Sequence, residues 1–562
     1  MVTGSVQEAS GVVQSAGEPG ANGGAQEPPA LAPVLVLGDE AIALGAMDAG
    51  IGGAFAYPGT PSTEIYEYVE AHAERGAGRP PIVARWSTNE KVAYEEALGM
   101  SFAGKRALVS MKHVGLNVAA DPFMNSALTG VGGALVLVVA DDPGMHSSQN
   151  EQDTRYYGEF ARLPVLEPSD QQQCYDMTRA AFELSEELAL PVILRIVTRV
   201  AHSRAVVHRA PPVDGAPPPD FEARQRPENW TLVPSNARRR NRRLLDLQPT
   251  LLARAEESPY NPLRLAGRKG ILCSGIACNY VQEALGEEHG WSVLEIRHYP
   301  PPREKIRALV ERCDEVFVVE EGYPFLETRL NGLLGLPGCT IRGKTTGDLP
   351  DTGELSPELV ARALGLGRGP APTPARDLPA RPPALCRGCP HIDTFNAMLD
   401  ATADFDHPHL LSDIGCYTLG ALPPYEAVHT AVDMGSSISM AVGAARAGLR
   451  PVLCTIGDST FTHSGMTGLL DAIREDADIT VLILDNSTVA MTGTQQTMAH
   501  GEQLVGILRG LGVNPEHLHV FEPFPKRREA FAELLDQEIA HRGLSVIVSQ
   551  RPCIHVKRKE RG

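Results

Sequence analysis

The chain has 562 residues, of which 43 % are hydrophobic and 21 % are charged, and this balance supports roughly three or four globular domains. Its formal net charge of −18 argues against nucleic-acid or anionic-membrane partners, because phosphate groups would be repelled. No run of about 18 apolar residues is present, so we expect no membrane-spanning helix. Residues 1–33 lack a basic stretch followed by an apolar one, which predicts a disordered tail on a cytoplasmic protein.

Short apolar runs alternate with helical patterns between residues 34 and 202. Continuous apolar strands separated by helices are typical of a parallel sheet that is covered on both faces. We therefore predict an α/β domain over 34–202. Its strands are expected at Val34–Leu37, Ala54–Tyr57, Ala107–Met111, Ala134–Val139 and Pro191–Ile196.

Two further α/β units follow, each after a segment with a different composition. Residues 203–262, with the basic cluster at 238–243, are expected to form a solvated linker. A smaller domain is predicted over 263–366, a second linker over 367–383 and a third domain over 384–562. Strands are expected at Gly270–Ser274, Ser292–Ile296 and Glu315–Val319 in the smaller domain, and at His409–Ser412, Val452–Ile456, Thr480–Leu484 and Ser545–Ser549 in the last.

The strongest chemical signal is Gly457-Asp458-Ser459, which ends one predicted strand, with Asn486 after the next one. A helix is predicted at Ser464–Glu475. The carboxyl ends of parallel strands share one edge of the sheet, where ligands bind. A Gly turn at a helix start also exposes N–H groups for phosphate. Asp458 and Asn486 can supply the oxygen ligands that Mg²⁺ prefers, with diphosphate oxygens completing the shell.

This pattern resembles the signature of thiamine-diphosphate enzymes, a Gly-Asp pair followed after the next strand by Asn. The resemblance implies that Thr488 gives its main-chain carbonyl to the metal. It also places Met434, beside Gly435, where those enzymes have a bulky apolar residue that bends the cofactor. A plain core methionine is the alternative for Met434.

The resemblance further implies a Glu that pairs with the pyrimidine ring of the cofactor. Trp86-Ser-Thr-Asn-Glu90 opens an Ala/Gly-rich helix that is similar to the Glu-bearing helix of pyrimidine-binding domains. We predict Glu90 for this role, since burial would favour proton sharing. Glu95 and Glu96 are the rivals, and an acid that only stabilises a helix N-terminus is the alternative for Glu90.

Four cysteines form a separate signal in the third domain. Cys386-Arg-Gly-Cys389-Pro-His391 is followed by Cys416 and, near the end, by Cys553. Four thiolates from separated turns can hold a 4Fe–4S cluster, although structural zinc or no metal at all is compatible with the same set. The remaining cysteines lie in strand or helix patterns and are expected in the core: Cys174, Cys273, Cys278, Cys313, Cys339 and Cys454.

Together these motifs are similar to those of the large (alpha) subunits of 2-oxoacid:ferredoxin oxidoreductases, most closely of the indolepyruvate type. The matching stretches are Tyr57–Glu64, Asn89–Gly104, Gly343–Pro350, Gly353–Pro357, Cys386–His391, Gly457–Gly468 and Asp485–Gly493. The resemblance implies pyrimidine-binding and diphosphate-binding domains with a transketolase-C-terminal-like domain between them. It also assigns a proximal 4Fe–4S cluster to Cys386, Cys389, Cys416 and Cys553.

The resemblance implies oxidative decarboxylation of a 2-oxoacid, an arylpyruvate such as indolepyruvate, with coenzyme A taking the acyl group. Electrons pass through iron–sulfur to ferredoxin or another carrier. Thr60 matches a position near the substrate, or is an N-cap; His113 and His463 are candidate proton relays or structural histidines. The implied partner is a small beta subunit, in an assembly with a homodimeric core or an alpha2beta2 composition.

Two departures from the family affect these expectations. Members usually continue into a ferredoxin-like domain with two more cysteine-rich runs, and the 562 residues contain no such run. Arg387 stands where the family more often has Pro. We therefore expect electrons to leave the proximal cluster directly or through a partner. A non-oxidative decarboxylase or carboligase and a non-catalytic scaffold subunit stay open as alternatives.

Overall fold

The computed structural model describes residues 31–74, 81–213, 220–287, 289–367, 383–406 and 408–559. Most of the predicted tail 1–33 and of the predicted linker 367–383 lies outside these residues. The described chain contains three large sheets, each of them mostly parallel, and one small two-stranded sheet. None of the described helices has both the length and the apolar character that crossing a membrane requires.

The first sheet supports one wall of the site. Its region comprises β1 (Val34–Leu37), α1 (Gly38–Asp48), β2 (Gly53–Ala56), α2 (Thr63–Ala71), β3 (Val83–Trp86), α3 (Glu90–Phe102), β4 (Ala107–Lys112), α4 (His113–Val118), α5 (Ala120–Thr129), β5 (Leu135–Asp141), α6 (Arg155–Ala161), β6 (Val165–Leu166), α7 (Gln171–Leu188), β7 (Val192–Val197), α8 (Thr198–His202) and β8 (Arg204–Val207). Six strands run parallel in the order β6-β7-β5-β4-β2-β3. The central strands β4, β5 and β7 are buried throughout, which explains their unbroken apolar runs.

The strand β1 lies outside this sheet, contrary to the expectation of one sheet from residue 34 onward. It pairs antiparallel with β8, and Leu35 is exposed. A two-stranded ribbon needs only one buried face. The short apolar sequence of β1 therefore looks the same as that of a strand in the main sheet.

The segment 203–262, expected to be a solvated linker, is instead largely helical. It continues from β8 into α9 (Phe221–Arg224), α10 (Pro227–Trp230), α11 (Pro234–Asp246) and α12 (Gln248–Glu257). In the basic cluster, Arg240 is buried and donates to the carbonyls of Leu128 and Thr129 at the end of α5. Arg243 donates to the Leu188 carbonyl at the end of α7. These guanidinium groups therefore cap two helix C-termini, where cations are favoured.

The middle region is packed into the first. It contains β9 (Leu263–Arg264), β10 (Lys269–Ser274), α13 (Ala277–Leu285), β11 (Ser292–Ile296), β12 (His298–Tyr299), α14 (Arg303–Arg312), β13 (Glu315–Val319), α15 (Phe325–Asn331), β14 (Thr340–Arg342) and α16 (Pro357–Ala363). Its sheet has the order β14-β13-β10-β11-β9, but β12 joins the first sheet, antiparallel to β6. Two apolar cores each include residues of both regions, so the two sheets share their packing.

The third sheet is wholly parallel, in the order β16-β15-β17-β18-β20-β19. Its elements are α17 (Pro390–Ala401), β15 (His409–Ser412), β16 (Thr430–Ala431), α18 (Ser436–Arg446), β17 (Val452–Gly457), α19 (Asp458–Thr460), α20 (Met466–Arg474), β18 (Ile479–Asp485), α21 (Gly501–Leu511), β19 (Leu518–Phe521), α22 (Arg528–Ala540), β20 (Leu544–Gln550) and α23 (Ile554–Lys559). The helix expected from residue 464 starts earlier, because Asp458 already begins α19 and a π-helical turn at Phe461–Gly465 leads into α20.

Candidate active site

A cavity of about 410 Å³ lies where the carboxyl ends of the first and third sheets face each other. The first sheet contributes segments that follow β2, β3, β4 and β5, and the third sheet contributes segments that follow β15, β16, β17 and β18. This is the edge at which open α/β sheets bind ligands. The predicted site residues that line the cavity are Thr60, Glu90, Met434, Gly457, Asp458, Ser459, His463, Asn486 and Thr488, together with Cys416.

Glu90 is held at the start of α3 by its neighbour. Asn89 caps the helix, because its Oδ1 accepts from the Val92 N–H at 2.9 Å. The Asn89 Nδ2 donates to the main-chain carbonyl of His463 at 2.8 Å, across the two sheets. Gly115 lies so close that a β-carbon there would come within 2.7 Å of Glu90 Cγ. The Glu90 carboxyl is therefore buried and fixed in direction.

A chain of hydrogen bonds connects Glu90 to the third sheet. Glu90 Oε2 lies 2.8 Å from His463 Nε2, and His463 Nδ1 lies 2.8 Å from Ser464 Oγ. Ser464 Oγ donates its only proton to the Met434 carbonyl, so it accepts from His463 Nδ1. Nδ1 therefore carries a proton, and a second proton is shared between Nε2 and Glu90. Gly435 permits this approach, since a β-carbon there would overlap Ser464 Oγ.

Asp458 has the character of a cation ligand. It begins α19 and is 2 % exposed, yet its Oδ2 has no hydrogen-bond partner in the described structure. Burial, reinforced by the negative Asp485, raises the pKa of Asp458 well above its usual range. A buried carboxylate oxygen without a donor is costly unless a cation meets it, so this residue fits a divalent metal.

Asn486 and Thr488 stand across the same edge. Asn486 Oδ1 accepts from the Thr488 N–H at 3.0 Å, and its Nδ2 lies 3.3 Å from His391 Nε2. Burial, with a smaller contribution from Arg551, lowers the pKa of His391 to about 4, so its ring is neutral and accepts this bond. The loop after β18 is thereby joined to the first cysteine motif.

The four predicted cysteine ligands converge from three separate segments. Burial raises the pKa of Cys389 to about 11 and of Cys416 to about 12, and the other thiols of the set add to both shifts. Cys386 is exposed, and its sulfur lies 3.5 Å from His555 Nε2. Cys553 donates its main-chain N–H to the Asn486 carbonyl at 2.9 Å. All six other cysteines are buried.

Several residues that line the cavity were not found from the sequence. Lys112 ends β4, is buried, and donates from Nζ to the Ser147 carbonyl at 2.9 Å. Burial lowers the pKa of Lys112 to about 8. The one sequence signal that marked Lys112 as a lining residue was its position at the carboxyl end of a strand. Tyr57, which follows β2 and opens the predicted Tyr57–Glu64 stretch, lies behind a lining residue, with its hydroxyl 2.9 Å from Ser459 Oγ.

Three other candidate residues from the sequence do not line the cavity. His113 is buried but does not line the cavity; its Nε2 lies 3.1 Å from the Asn150 carbonyl. Glu95 is exposed and paired with Lys91, and Glu96 accepts from Ser87 on the same outer face. Neither rival carboxylate therefore lines the cavity, unlike Glu90.

Comparisons with known proteins show which sequences and family models this chain resembles. The family model "Pyruvate flavodoxin/ferredoxin oxidoreductase, thiamine diP-bdg" matches residues 44–238, and "Thiamine pyrophosphate enzyme, C-terminal TPP binding domain" matches 413–549. Indolepyruvate oxidoreductase subunit IorA of Archaeoglobus fulgidus is 38 % identical, over 92 % of this chain and 86 % of that one. The subunit of the same name from Methanothermobacter thermautotrophicus is 37 % identical, over 93 % and 87 %. Among solved structures, a 2-oxoglutarate:ferredoxin oxidoreductase from Magnetococcus marinus matches with a TM-score of 0.48 and 18 % identity, over 59 % of this chain and 65 % of that one.

Proposed function

The chain belongs to the family of indolepyruvate oxidoreductase IorA subunits, and we propose that it oxidatively decarboxylates an arylpyruvate with bound thiamine diphosphate. In the balanced reaction, the carboxylate leaves as carbon dioxide and the acyl group forms a thioester with coenzyme A. The two electrons released reduce two one-electron carriers such as ferredoxin. The observation that carries the proposal is one cavity lined both by the buried Glu90–His463 pair and by Asp458, whose Oδ2 has no hydrogen-bond partner.

Thiamine diphosphate, when bound, supplies the carbon nucleophile and the electron sink that 2-oxoacid decarboxylation requires. Glu90 is the residue that would hold a proton against the pyrimidine ring. His463 Nε2 engages Glu90 Oε2 at 2.8 Å, which leaves Oε1 to meet the ring. His463 in turn is oriented by Ser464, so the pair moves a proton without rotating the ring.

Asp458, Asn486 and the Thr488 carbonyl would hold Mg²⁺ against the diphosphate. Two side-chain oxygens and one main-chain oxygen are hard ligands, and they leave positions open for phosphate oxygens and water. Gly457 and Ser459 lie at the adjoining helix start, where N–H groups favour an anion.

Cys386, Cys389, Cys416 and Cys553 would hold one 4Fe–4S cluster beside the cavity. The four thiols come from three separate segments and lie close enough to raise one another's pKa. Four cysteine thiolates gathered from separate turns are the ligand set of a 4Fe–4S cluster.

Lys112 and Thr60 would receive the carboxylate of the substrate. Both line the cavity, and Lys112 is the one ammonium among its lining residues. Ser147 links the two, since it accepts from Lys112 Nζ and donates from Oγ to the Thr60 carbonyl at 3.2 Å. A small beta subunit, an electron carrier and a second copy of the chain complete the proposed assembly, as an alpha2beta2 complex.

Replacing Glu90 with Ala should lower turnover of an arylpyruvate by about 1000-fold, because a positioned acid–base group is lost. Binding of Mg²⁺ and thiamine diphosphate should stay within a few-fold of wild type, as measured by fluorescence quenching. The matched control is Glu95→Ala on the exposed face of the same helix, which should keep full turnover. Normal turnover by Glu90→Ala would remove this assignment.

Replacing Asp458 with Asn should weaken Mg²⁺-dependent binding of thiamine diphosphate by roughly 100-fold, because an anionic ligand of the metal is lost. The measurement is calorimetric titration of the cofactor with and without Mg²⁺. Asp471→Asn, an exposed carboxylate in α20, serves as the control. Equal affinities in the two variants would place the metal elsewhere.

Protein purified without oxygen should contain about four irons and four acid-labile sulfides per chain. Cys389→Ser should lose most of both, whereas Cys339→Ser, at a cysteine outside the set, should retain them. The measurements are chemical analysis of iron and acid-labile sulfide and the visible absorption spectrum of each protein. Thiamine diphosphate bound to an iron-free wild-type protein would instead favour non-oxidative decarboxylation or carboligation.

Replacing Lys112 with Met should raise KM for the 2-oxoacid by roughly 10- to 100-fold, since a charge-assisted hydrogen bond is lost. Lys112 is protonated below its pKa of about 8, so wild-type KM should rise as the pH increases through 8. The variant should lack this rise, and the exposed Lys105→Met should behave as wild type. Parallel pH profiles of KM in wild type and Lys112→Met would contradict the role.

A further inference from the structure

A second cluster of metal-ligating side chains lies outside the cavity, at the end of the turn that carries Thr60. Asp39 is in the first turn of α1, Glu64 is in the first turn of α2, and His202 is the last residue of α8. One ligand atom from each lies within 4.8 Å of the other two. Within the part of the chain that the structure describes, these three residues form the one such set.

Asp39 is the unusual member of the set. Its side chain is 0 % exposed, and neither of its carboxylate oxygens has a hydrogen-bond partner. Burial raises the pKa of Asp39 well above its usual range, and the negative Glu64 and Glu40 raise it further, Glu64 also by the close approach of its carboxyl to that of Asp39. Two bare oxygens in a buried position are costly, and nearby negative charge increases that cost.

Glu64 and His202 complete a half-shell of metal ligands whose remaining side is open to solvent. Glu64 Oε2 lies 3.5 Å from His202 Nε2, and about a third of each side chain is exposed. One imidazole nitrogen and two carboxylate oxygens are donors that suit divalent ions of the first transition row. Ligand atoms on one such ion are about 3–3.5 Å apart, so the three atoms must move towards the ion by small side-chain adjustments.

We propose that Asp39, Glu64 and His202 bind one divalent transition-metal ion, of the Mn²⁺, Fe²⁺ or Zn²⁺ class, with water on its exposed side. The ion ties the starts of α1 and α2 to the end of α8. Glu64 closes the turn Tyr57–Glu64, in which Ser62 Oγ donates to the Gly59 carbonyl at 2.8 Å. The site therefore fixes one end of the turn whose Thr60 lines the cavity.

The test is a titration of the full-length protein with Mn²⁺ alone as the probe, followed by the electron paramagnetic resonance signal of free Mn²⁺. Excess Mg²⁺ and thiamine diphosphate are present to occupy the Asp458 site. Wild type should bind one Mn²⁺ per chain. Glu64→Gln and His202→Gln should bind it about tenfold more weakly or not at all. Glu70→Gln, an exposed carboxylate on α2, should bind it as wild type does.

The half-exposed His202 keeps the test independent of folding, because its replacement leaves the buried Asp39 in place. Mn²⁺ should also raise the midpoint of thermal unfolding of wild type, and this shift should vanish in His202→Gln. No binding to wild type, or equal binding to His202→Gln, would overturn the proposal. No binding would mean that the Asp39 and Glu64 carboxyls satisfy each other without a metal, and equal binding to His202→Gln would mean that Mn²⁺ binds elsewhere.

Discussion

The site depends on one buried hydrogen bond between two separately built sheets, from Glu90 at the start of α3 to His463 in the π-helical turn after β17. A carboxyl this deeply buried requires a partner, and the partner belongs to the other sheet. A second hydrogen bond, from the Asn89 side chain to the His463 carbonyl, holds the same two elements together. The carboxyl ends of both sheets must therefore face each other, and the cavity between them follows from that constraint.

The middle region makes this arrangement rigid through buried charge as well as apolar packing. Arg155 is fully buried and reaches Asp153 on its own helix turn and Glu320 at the end of β13, at 2.5 and 2.8 Å. Arg195 on β7 pairs with Asp141 on β5 at 2.6 Å, and its Nη2 donates to the Glu321 carbonyl of the middle region at 3.3 Å. Removing one partner from such a network leaves an uncompensated charge and costs about 3–5 kcal/mol. Together with the strand β12, these pairs hold the first and middle sheets as one support.

The sequence predicted most of the large sheets because buried parallel strands are nearly pure apolar runs, as in β5 and β18. Asp458 and Asn486 were predictable because each follows such a run. Lys112 was not, since one lysine after a strand has no local pattern that marks a lining residue. Arg240 was misread because its partners, carbonyls at the end of α5, are 111 or more residues away. Long-range partners of this kind leave no trace in spacing or composition.

The loop after β18 connects the metal-binding edge to the cysteines through the main chain. The Asn486 carbonyl accepts from the Cys553 N–H, and the Asn486 side chain faces His391 of the first cysteine motif. Tyr417, next to Cys416, packs so closely on Gly457 that a β-carbon there would approach its ring to 2.8 Å. The residues proposed for the diphosphate metal and for the cluster thus share one frame. Because the Cys553 bond is made by the main chain, a cysteine side chain can change without disturbing Asn486. The proposed electron transfer and the proposed cofactor binding should therefore be separable by substitution, although both sets of residues contact the same loop.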